Sequence, residues 1–445
     1  MWRYSPLNMK ILVIEHTICY SMILFQELNL FLKYGKVYWD YAGLMVDSGM
    51  LGEKEKNNNY DKLSKAIGEL DNVLSPDINK SAYTFNIVDN NILYSLKAVA
   101  GLDKDTLPKV IENAPYASFK DFLERMYDTG LLKEKKVAIL IKSGCFDSFC
   151  GDRRKVAMKF VEYIIPRKAP TISQIPWIKK FLGQYKSTLE LIDYKSKVVG
   201  KNKTMNSQLE KTFLEKYVNY VRYDFVDGKL NIDEKSFTKY YNKEIEPLKT
   251  FLKSDYIIDE YIRAKRNSKW FELFRGNTSS WEFSTLYTYF LPHELELMPI
   301  QNYYNLANFN ELEAIPTPIK YRKWTRKIKD KKGKVIGQEE VETPIYDTCT
   351  IAGTVISKDN TKGYVHLLTQ HGVVSVKMQK GAYAHYNAKY ENDPSWMERG
   401  TLLVVTGYRN YTDFIAKTYG RGKHTLCKIL SYNKEKIIFK AQKDE

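Results

Sequence analysis

Residues 93–149 read LYSLKAVAGLDKDTLPKVIENAPYASFKDFLERMYDTGLLKEKKVAILIKSGCFDSF, and the glycines in this stretch decide how the chain is folded. Leu93, Leu96 and Val99 recur at helical spacing and stop at Gly101-Leu102, after which Asp105 or Thr106 offers an N-cap and Pro108 fits the first turn. Ser118 stands three residues before Asp121, a capping-box arrangement, and Phe119, Phe122, Leu123 and Met126 fill one helical face. A further helix carries Val137, Leu140 and Ile141 and stops at Gly144, a C′ glycine, with Asp147 or Ser148 capping the next. Helix, tight bend, helix occurs twice. A bend of this kind presents unsatisfied backbone N–H groups where a phosphate oxygen fits, a contact that positions a duplex without reading its sequence. On spacing alone, an ordinary helical bundle with glycine C-caps is an equal alternative.

Pro76-Asp77-Ile78-Asn79, then Ser81 and Phe85, the bend at Gly101, and the run Leu140-Ile141-Lys142-Ser143-Gly144-Cys145-Phe146-Asp147-Ser148 follow one another in order. In order and spacing they resemble the bacterial and phage replicative DNA polymerase III alpha subunit (C-family), in which such elements enclose a tandem helix-hairpin-helix domain. The resemblance is densest over residues 74–150 and implies a carboxy-terminal part: the end of the fingers, the tandem hairpins and an OB-fold. It implies DNA contacts at Lys97, Gly101, Leu102, Lys104 and Gly144. One departure stands at Asp103, where the family has a second glycine. A carboxylate at that bend repels a phosphate, an effect Lys97 and Lys104 partly offset.

Sixty-nine basic against 53 acidic residues give a net charge of +16, which favours a polyanionic partner and salt-dependent association. A merely solubilising basic surface is the plainer alternative. Thirty-four tyrosines add rings that can stack on bases, although many belong to cores. The five cysteines form no CxxC pair and the six histidines show no ligand spacing, so free thiols, no structural zinc and a cytoplasmic location are expected.

The first thirty residues are apolar, but Glu15, His16 and Glu27 interrupt them and no small-residue cleavage site follows, so a buried helix is expected and neither a signal peptide nor a membrane span. Residues 1–73 are read as a helical remnant of the fingers, 74–168 as the tandem hairpin domain, 169–318 as a helical connecting region and 319–440 as the OB-fold. Gly52 to Asn59 reads as a polar loop and Gly228 as a turn. His293, in a segment distantly similar to one before the terminal barrel of the family, reads as a packed structural histidine. Gln208-Leu209 before Phe213 is faintly similar to a clamp-contacting peptide, though an amphipathic helix accounts for it better.

The basic run KYRKWTRKIKDKKGK at 320–334 is broken by a turn at Asp330 to Gly333 and reads as a protruding hairpin; such a run is usually a solvated face, and Trp324 makes nucleic-acid contact an equal alternative. From Tyr346 the apolar period becomes two: Thr348 to Ser357, Gly363 to Thr369, Gly372 to Met378, Thr401 to Tyr408 and Leu426 to Leu430 read as five strands, with a short helix near Ala382 to Asn387. That is the layout of a five-stranded OB-fold β-barrel, so the whole is an α+β multidomain chain, mostly helical in its first two-thirds. With Val365, Leu367, Val374 and Val376 inward, Tyr364, His366, Ser375 and Lys377 face out, near Lys358 and Lys362. Arg409 to His424 reads as a loop whose Tyr411, Phe414, Lys417, Tyr419, Arg421 and Lys423 interleave rings and cations for DNA.

The family holds two Mg²⁺ ions on palm aspartates, and no such D-x-D set occurs here: Asp224 and Asp227 are too far apart and follow the hairpins. The resemblance therefore implies part of a DNA-directed DNA polymerase, a nucleotidyltransferase, with no palm active site and no cofactor in this chain. Mg²⁺ is expected at a palm supplied elsewhere. Expected partners are DNA, both duplex and single-stranded template, a palm-bearing polymerase fragment and a sliding clamp, with no membrane. A stand-alone single-stranded nucleic-acid-binding protein and a basic interaction scaffold stay open beside this reading.

Overall fold

The computed structural model describes residues 6–49, 60–103, 105–199, 205–329, 335–389, 394–417 and 426–441. Lys104, the Gly52 to Asn59 loop, the Asp330 to Gly333 turn and Tyr419, Arg421 and Lys423 lie outside the described residues. The fold is mixed helix and strand, in two compact units: Met1–Val156 with Gly276–Glu445, and Ala157–Arg275.

In the first unit, the opening helix Pro6–Asp47 is broken at Gly35, whose φ of 77° leaves the helical region. Beyond the break Val37, Leu44 and Met45 are buried with Leu63, Ile67, Phe85, Tyr94 and Leu286. Before it the expectation of a buried helix is corrected: Ile18, Leu24, Phe25, Leu28 and Leu32 are exposed, Phe25 by 66%. Among the described residues no helix is long and apolar enough to cross a membrane.

Cys349–Asp359, Tyr364–Thr369, Gly372–Lys377, Leu402–Asn410 and Asp413–Ala416 form a closed five-stranded barrel, consistent with an OB-fold. The first three strands make a meander, the fourth pairs back on the first, and the fifth closes the ring by pairing antiparallel with the fourth and parallel with the third. Two glycines permit this curvature: a Cβ at Gly353 would lie 2.7 Å from the Leu368 carbonyl oxygen, and one at Gly407 would strike the Ile415 carbonyl. Val355, Val365, Leu367, Val376, Leu403 and Phe414 fill the interior, packed with Tyr386 of the helix Lys380–Asn387 and Trp396 beyond it.

The assignment of Leu426 to Leu430 as the fifth barrel strand is thereby corrected. That segment lies within Leu426–Tyr432, which pairs outside the ring with Leu403, Val404 and Val405 and then with Ile437–Ala441. The true fifth strand is short, and it follows a turn at Tyr411 and Thr412 with no glycine to announce it; Tyr411 takes φ 53° itself. On the barrel's outside, Ala352, Leu402 and Val404 are buried against Leu295, Met298 and Ile300.

The second unit, Ala157–Arg275, has two apolar cores. Its helices Glu234–Leu252 and Asp255–Leu273 line them, and a hairpin, Tyr223–Val226 with Lys229–Ile232, turns at Asp227 and Gly228. Phe213, on helix Ser207–Lys216, is fully buried there, which removes it as the ring of a clamp-contacting peptide.

Candidate nucleic-acid interface

The entry into the hairpin region is locked by side chains of the Pro76-Asp77-Ile78-Asn79 element. Asp77 Oδ1 accepts from the amides of Asn79 at 2.8 Å and Lys80 at 3.1 Å, and the Asn79 side chain exchanges two hydrogen bonds with the Tyr116 backbone. The Ile78 amide donates to the Cys145 carbonyl at 2.8 Å, tying this entry to the second bend. The first bend departs from a helical hairpin: Asn91–Leu93 is a strand, Leu96–Ala98 a single 3₁₀ turn, and Gly101, with φ 87°, leads to the helix Thr106–Glu112.

Asp103 caps that helix, in place of the expected Asp105 or Thr106. Its Oδ1 accepts from the Thr106 amide at 2.8 Å, and Oδ2 lies 2.6 Å from Lys136 Nζ, which also donates to the Gly101 carbonyl. The carboxylate thus occupies the place a phosphate oxygen would take at this helix start. Those bonds, Lys136 first and Thr106 next, hold its pKa down from 3.8 to about 2. A lowered acid pKa gives a stability contribution that is complete above the unfolded value and lost as pH falls through the folded one. The melting temperature of wild type should exceed that of Asp103→Asn at about pH 6, and the gap should close progressively from about pH 4 to about pH 2. A gap that persists unchanged at the acid end would mean that the pairing with Lys136 is not what stabilises the bend. Lys97 lies over the Tyr83 ring at 5.9 Å and Leu102 is half-buried, so among the described residues expected at this bend Gly101 is the exposed one.

The second bend closes as its sequence predicts. The Gly144 amide donates to Ile141 and the Cys145 amide to Leu140, the paired bonds of a Schellman motif, with Gly144 at φ 85°. Gly144 is nonetheless buried, because Arg153 folds over it. Arg153 Nη2 lies 2.6 Å from Asp147 Oδ2, while Nη1 reaches the Lys142 carbonyl at 3.1 Å and Glu282 Oε1 at 3.0 Å. Glu282 is wholly buried, and its other oxygen accepts from the Phe290 and Leu291 amides at 2.7 Å each. Expectation placed the bend's donors toward DNA; the structure shows them bound internally, with the guanidinium above them.

On the barrel, alternation holds as read: Val365, Leu367, Val374 and Val376 are buried, and Tyr364, His366, Ser375 and Lys377 point out. Tyr364 lies nearly parallel to His366, 6.2 Å between centroids, and Lys377 Nζ is 5.6 Å from the Tyr364 ring. The Tyr364 hydroxyl donates to Asp413 at 2.7 Å, and His366 Nδ1 is 2.9 Å from Ser375 Oγ. Register carries the row onward: Lys377 opposes Tyr364 and Ile415, Ile415 opposes Tyr408, and the Tyr408 ring lies 4.5 Å from that of Tyr346. Tyr408 and Tyr346 were not among the expected site residues. Period-two reading from inward Leu403 and Val405 would have marked Tyr408 as outward.

Phe414 is corrected: it is 0% exposed in the barrel core, not a ring on a loop. Tyr411, at the turn, is 61% exposed. Lys358 donates to Asn387 at 2.7 Å and Lys362 sits exposed on the first turn, whose Asp359 binds the Thr361 and Lys362 amides. His293 is buried, with Nδ1 accepting from the Leu295 amide and Nε2 on the Leu368 carbonyl; burial drives its pKa down to about 4, so it is a neutral structural residue, as read. Among the described residues no three His, Cys, Asp or Glu side chains stand together to hold a metal ion.

Residues 72–156 match the helix-hairpin-helix motif family. Across 93% of its length the chain is 33% identical to a protein of Bacillus subtilis (strain 168) named "Probable DNA polymerase YorL" and, equally, to a DNA-directed DNA polymerase of Bacillus phage SPbeta. Its homologues are DNA polymerases. A DNA polymerase III subunit alpha of Borreliella burgdorferi is 33% identical over 34% of the chain and 13% of its own length. The chain spans 34% of the length of the Bacillus and SPbeta relatives, consistent with a carboxy-terminal polymerase III alpha-like portion. Homology and motif together give it a DNA polymerase-related, DNA-binding role.

Proposed function

We propose that the chain is the part of a polymerase III alpha-like replicative polymerase that holds duplex and single-stranded template, in the cytoplasm and in a phage or mobile-element setting. The catalytic palm, with its Mg²⁺, is supplied elsewhere, and a palm-bearing fragment and a sliding clamp are its partners. The observation that carries this reading is the outward row Tyr364, Lys377, Ile415 and Tyr408 across four barrel strands, with Tyr346 against Tyr408, which sets rings on both sides of a cation. Bases stack on such rings whatever their sequence, and the ammonium meets the backbone.

Loss of one stacking ring costs about 1–3 kcal/mol per base, so Tyr364→Ala or Tyr408→Ala in the full chain should weaken oligothymidine binding by roughly tenfold at every salt concentration. Unchanged affinity in the folded double variant would send the single strand to another surface. By the same reading the purified chain incorporates no nucleotides on a primed template until a palm-bearing fragment is added; extension by the chain alone would overturn it.

A further inference from the structure

The basic run 320–334 does not form a uniformly positive hairpin. Pro318–Lys329 and Val335–Tyr346 pair as a two-stranded antiparallel ribbon, and residues 321–328 are exposed along its first strand. Residues directly opposite in such a pair share a face. One face carries Lys323 and Lys327 of the first strand with Glu340 and Glu342 of the second, and Lys323 is bound to Glu342 at 2.8 Å. Glu340 stands opposite Thr325 and Lys327 opposite Gln338, so two cations and two carboxylates share that face and their charges cancel. The opposite face carries Lys320, Arg322, Trp324 and Arg326, against Ile345, Thr343, Val341 and Glu339. Only Arg326 has a carboxylate across from it, Glu339, to which it is paired. Lys320 and Arg322 look across at an isoleucine and a threonine, and Trp324, 42% exposed, is fixed on the same face by an indole hydrogen bond of 2.9 Å to Thr343.

We infer that this second face, through Lys320 and Arg322 with Trp324 beside them, is a duplex-DNA contact and that the ribbon lies along a groove. The inference rests on the DNA-holding function proposed above and names a surface for the duplex. The ribbon has the dimensions for it. Its strands are twelve residues long, about 3.3 Å per residue, and a two-stranded β-ribbon fits a major groove about 12 Å wide. The charge asymmetry supplies the orientation, since phosphate oxygens flank the groove and, among the described residues of the ribbon, only this face carries more cations, Lys320, Arg322 and Arg326, than carboxylates, Glu339 alone. Contacts of this type go to the backbone, so binding is indifferent to sequence. The acidic strand then has a role of its own: Glu340 and Glu342 keep the reverse face from competing for the same duplex.

Two double variants of the full chain remove equal charge from opposite faces. Lys320→Gln with Arg322→Gln should lower affinity for a 20-base-pair duplex on the order of tenfold, and reduce the slope of log affinity against log salt by about two. Lys323→Gln with Lys327→Gln should leave both within about twofold of wild type, because Lys323 is already bound to Glu342 and Glu340, diagonal to Lys327 on the same face, offsets the second charge. All four residues are exposed, so both variants should melt with the wild type, which removes folding as an explanation. Equal losses from the two faces would overturn the inference, showing that net charge alone is felt. Wild-type affinity in the Lys320/Arg322 variant would also overturn it while leaving the DNA-holding function intact. No duplex or single-strand binding by the wild-type chain would overturn both.

Discussion

Arg153→Ala is expected to destabilise the first unit by about 3–5 kcal/mol, the range for removing one partner of a buried ion pair. The cost arises from what is left behind. Glu282, wholly buried, would keep its two amide donors but lose the cation that offsets its desolvation, and Asp147 and the Lys142 carbonyl would lose theirs. Burial already pushes the Glu282 carboxyl above its ordinary range even with Arg153 beside it. Glu282→Gln should cost less, since a side-chain amide oxygen can still accept from Phe290 and Leu291. Replacing both residues by methionine should recover part of the Arg153→Ala loss, because two packed apolar chains avoid desolvating charge. Calorimetry of the full chain reads this as the displacement of one of its unfolding transitions. A shift no larger than that of an exposed Lys→Ala control would mean that the pair is solvated and not a structural bolt.

Phe414→Ala should be comparably damaging, for a different reason. Its ring fills the centre of the closed barrel, and emptying such a site costs about 3–5 kcal/mol from lost burial and the cavity left behind. Tyr411→Ala, three residues earlier and exposed, should stay within about 0.5 kcal/mol. The two variants therefore separate fold from binding. Any fall in DNA affinity with Phe414→Ala should track loss of the melting transition, whereas a folded Phe414→Ala barrel with weakened DNA binding would show the ring to be reachable by DNA after all.

Much of this was legible because periodicity and glycine positions are local signals. Gly144 as a helix C′ residue, the inward and outward sets of Tyr364 to Lys377, and a neutral packed His293 all follow from neighbours within a few residues. What escaped depends on distant partners. Asp103 reads as a phosphate repellent until Lys136 is seen beside it, and Gly144 reads as open until Arg153 is seen above it. Phe414 was placed on a loop because Tyr411, a non-glycine with φ 53°, makes the turn that admits the fifth strand. No composition rule marks a tyrosine as a hairpin turn. The acids that neutralise one face of the ribbon are visible in the sequence, but only pairing shows which lysines they oppose.

The path of the chain through the first unit also sets an order of events on the ribosome. Tyr94 donates its hydroxyl to the Leu286 carbonyl at 2.8 Å, the Ala100 amide donates to Thr285 at 2.7 Å, and Arg153 needs Glu282. None of these partners exists until the whole of Ala157–Arg275 has been synthesised. A nascent chain that pauses within that stretch therefore carries a hairpin region in which Arg153 has Asp147 but lacks Glu282 and core donors stand open, a natural substrate for proteases and chaperones. The intervening unit limits the delay. Its early Phe160 and late Phe274 meet edge to face, 6.4 Å apart, so once folded it brings its own ends together, and the closure still to be made spans far fewer free residues than the sequence separation suggests. A fragment ending near residue 156 should accordingly be short-lived in cells, whereas one extended past residue 290 should persist.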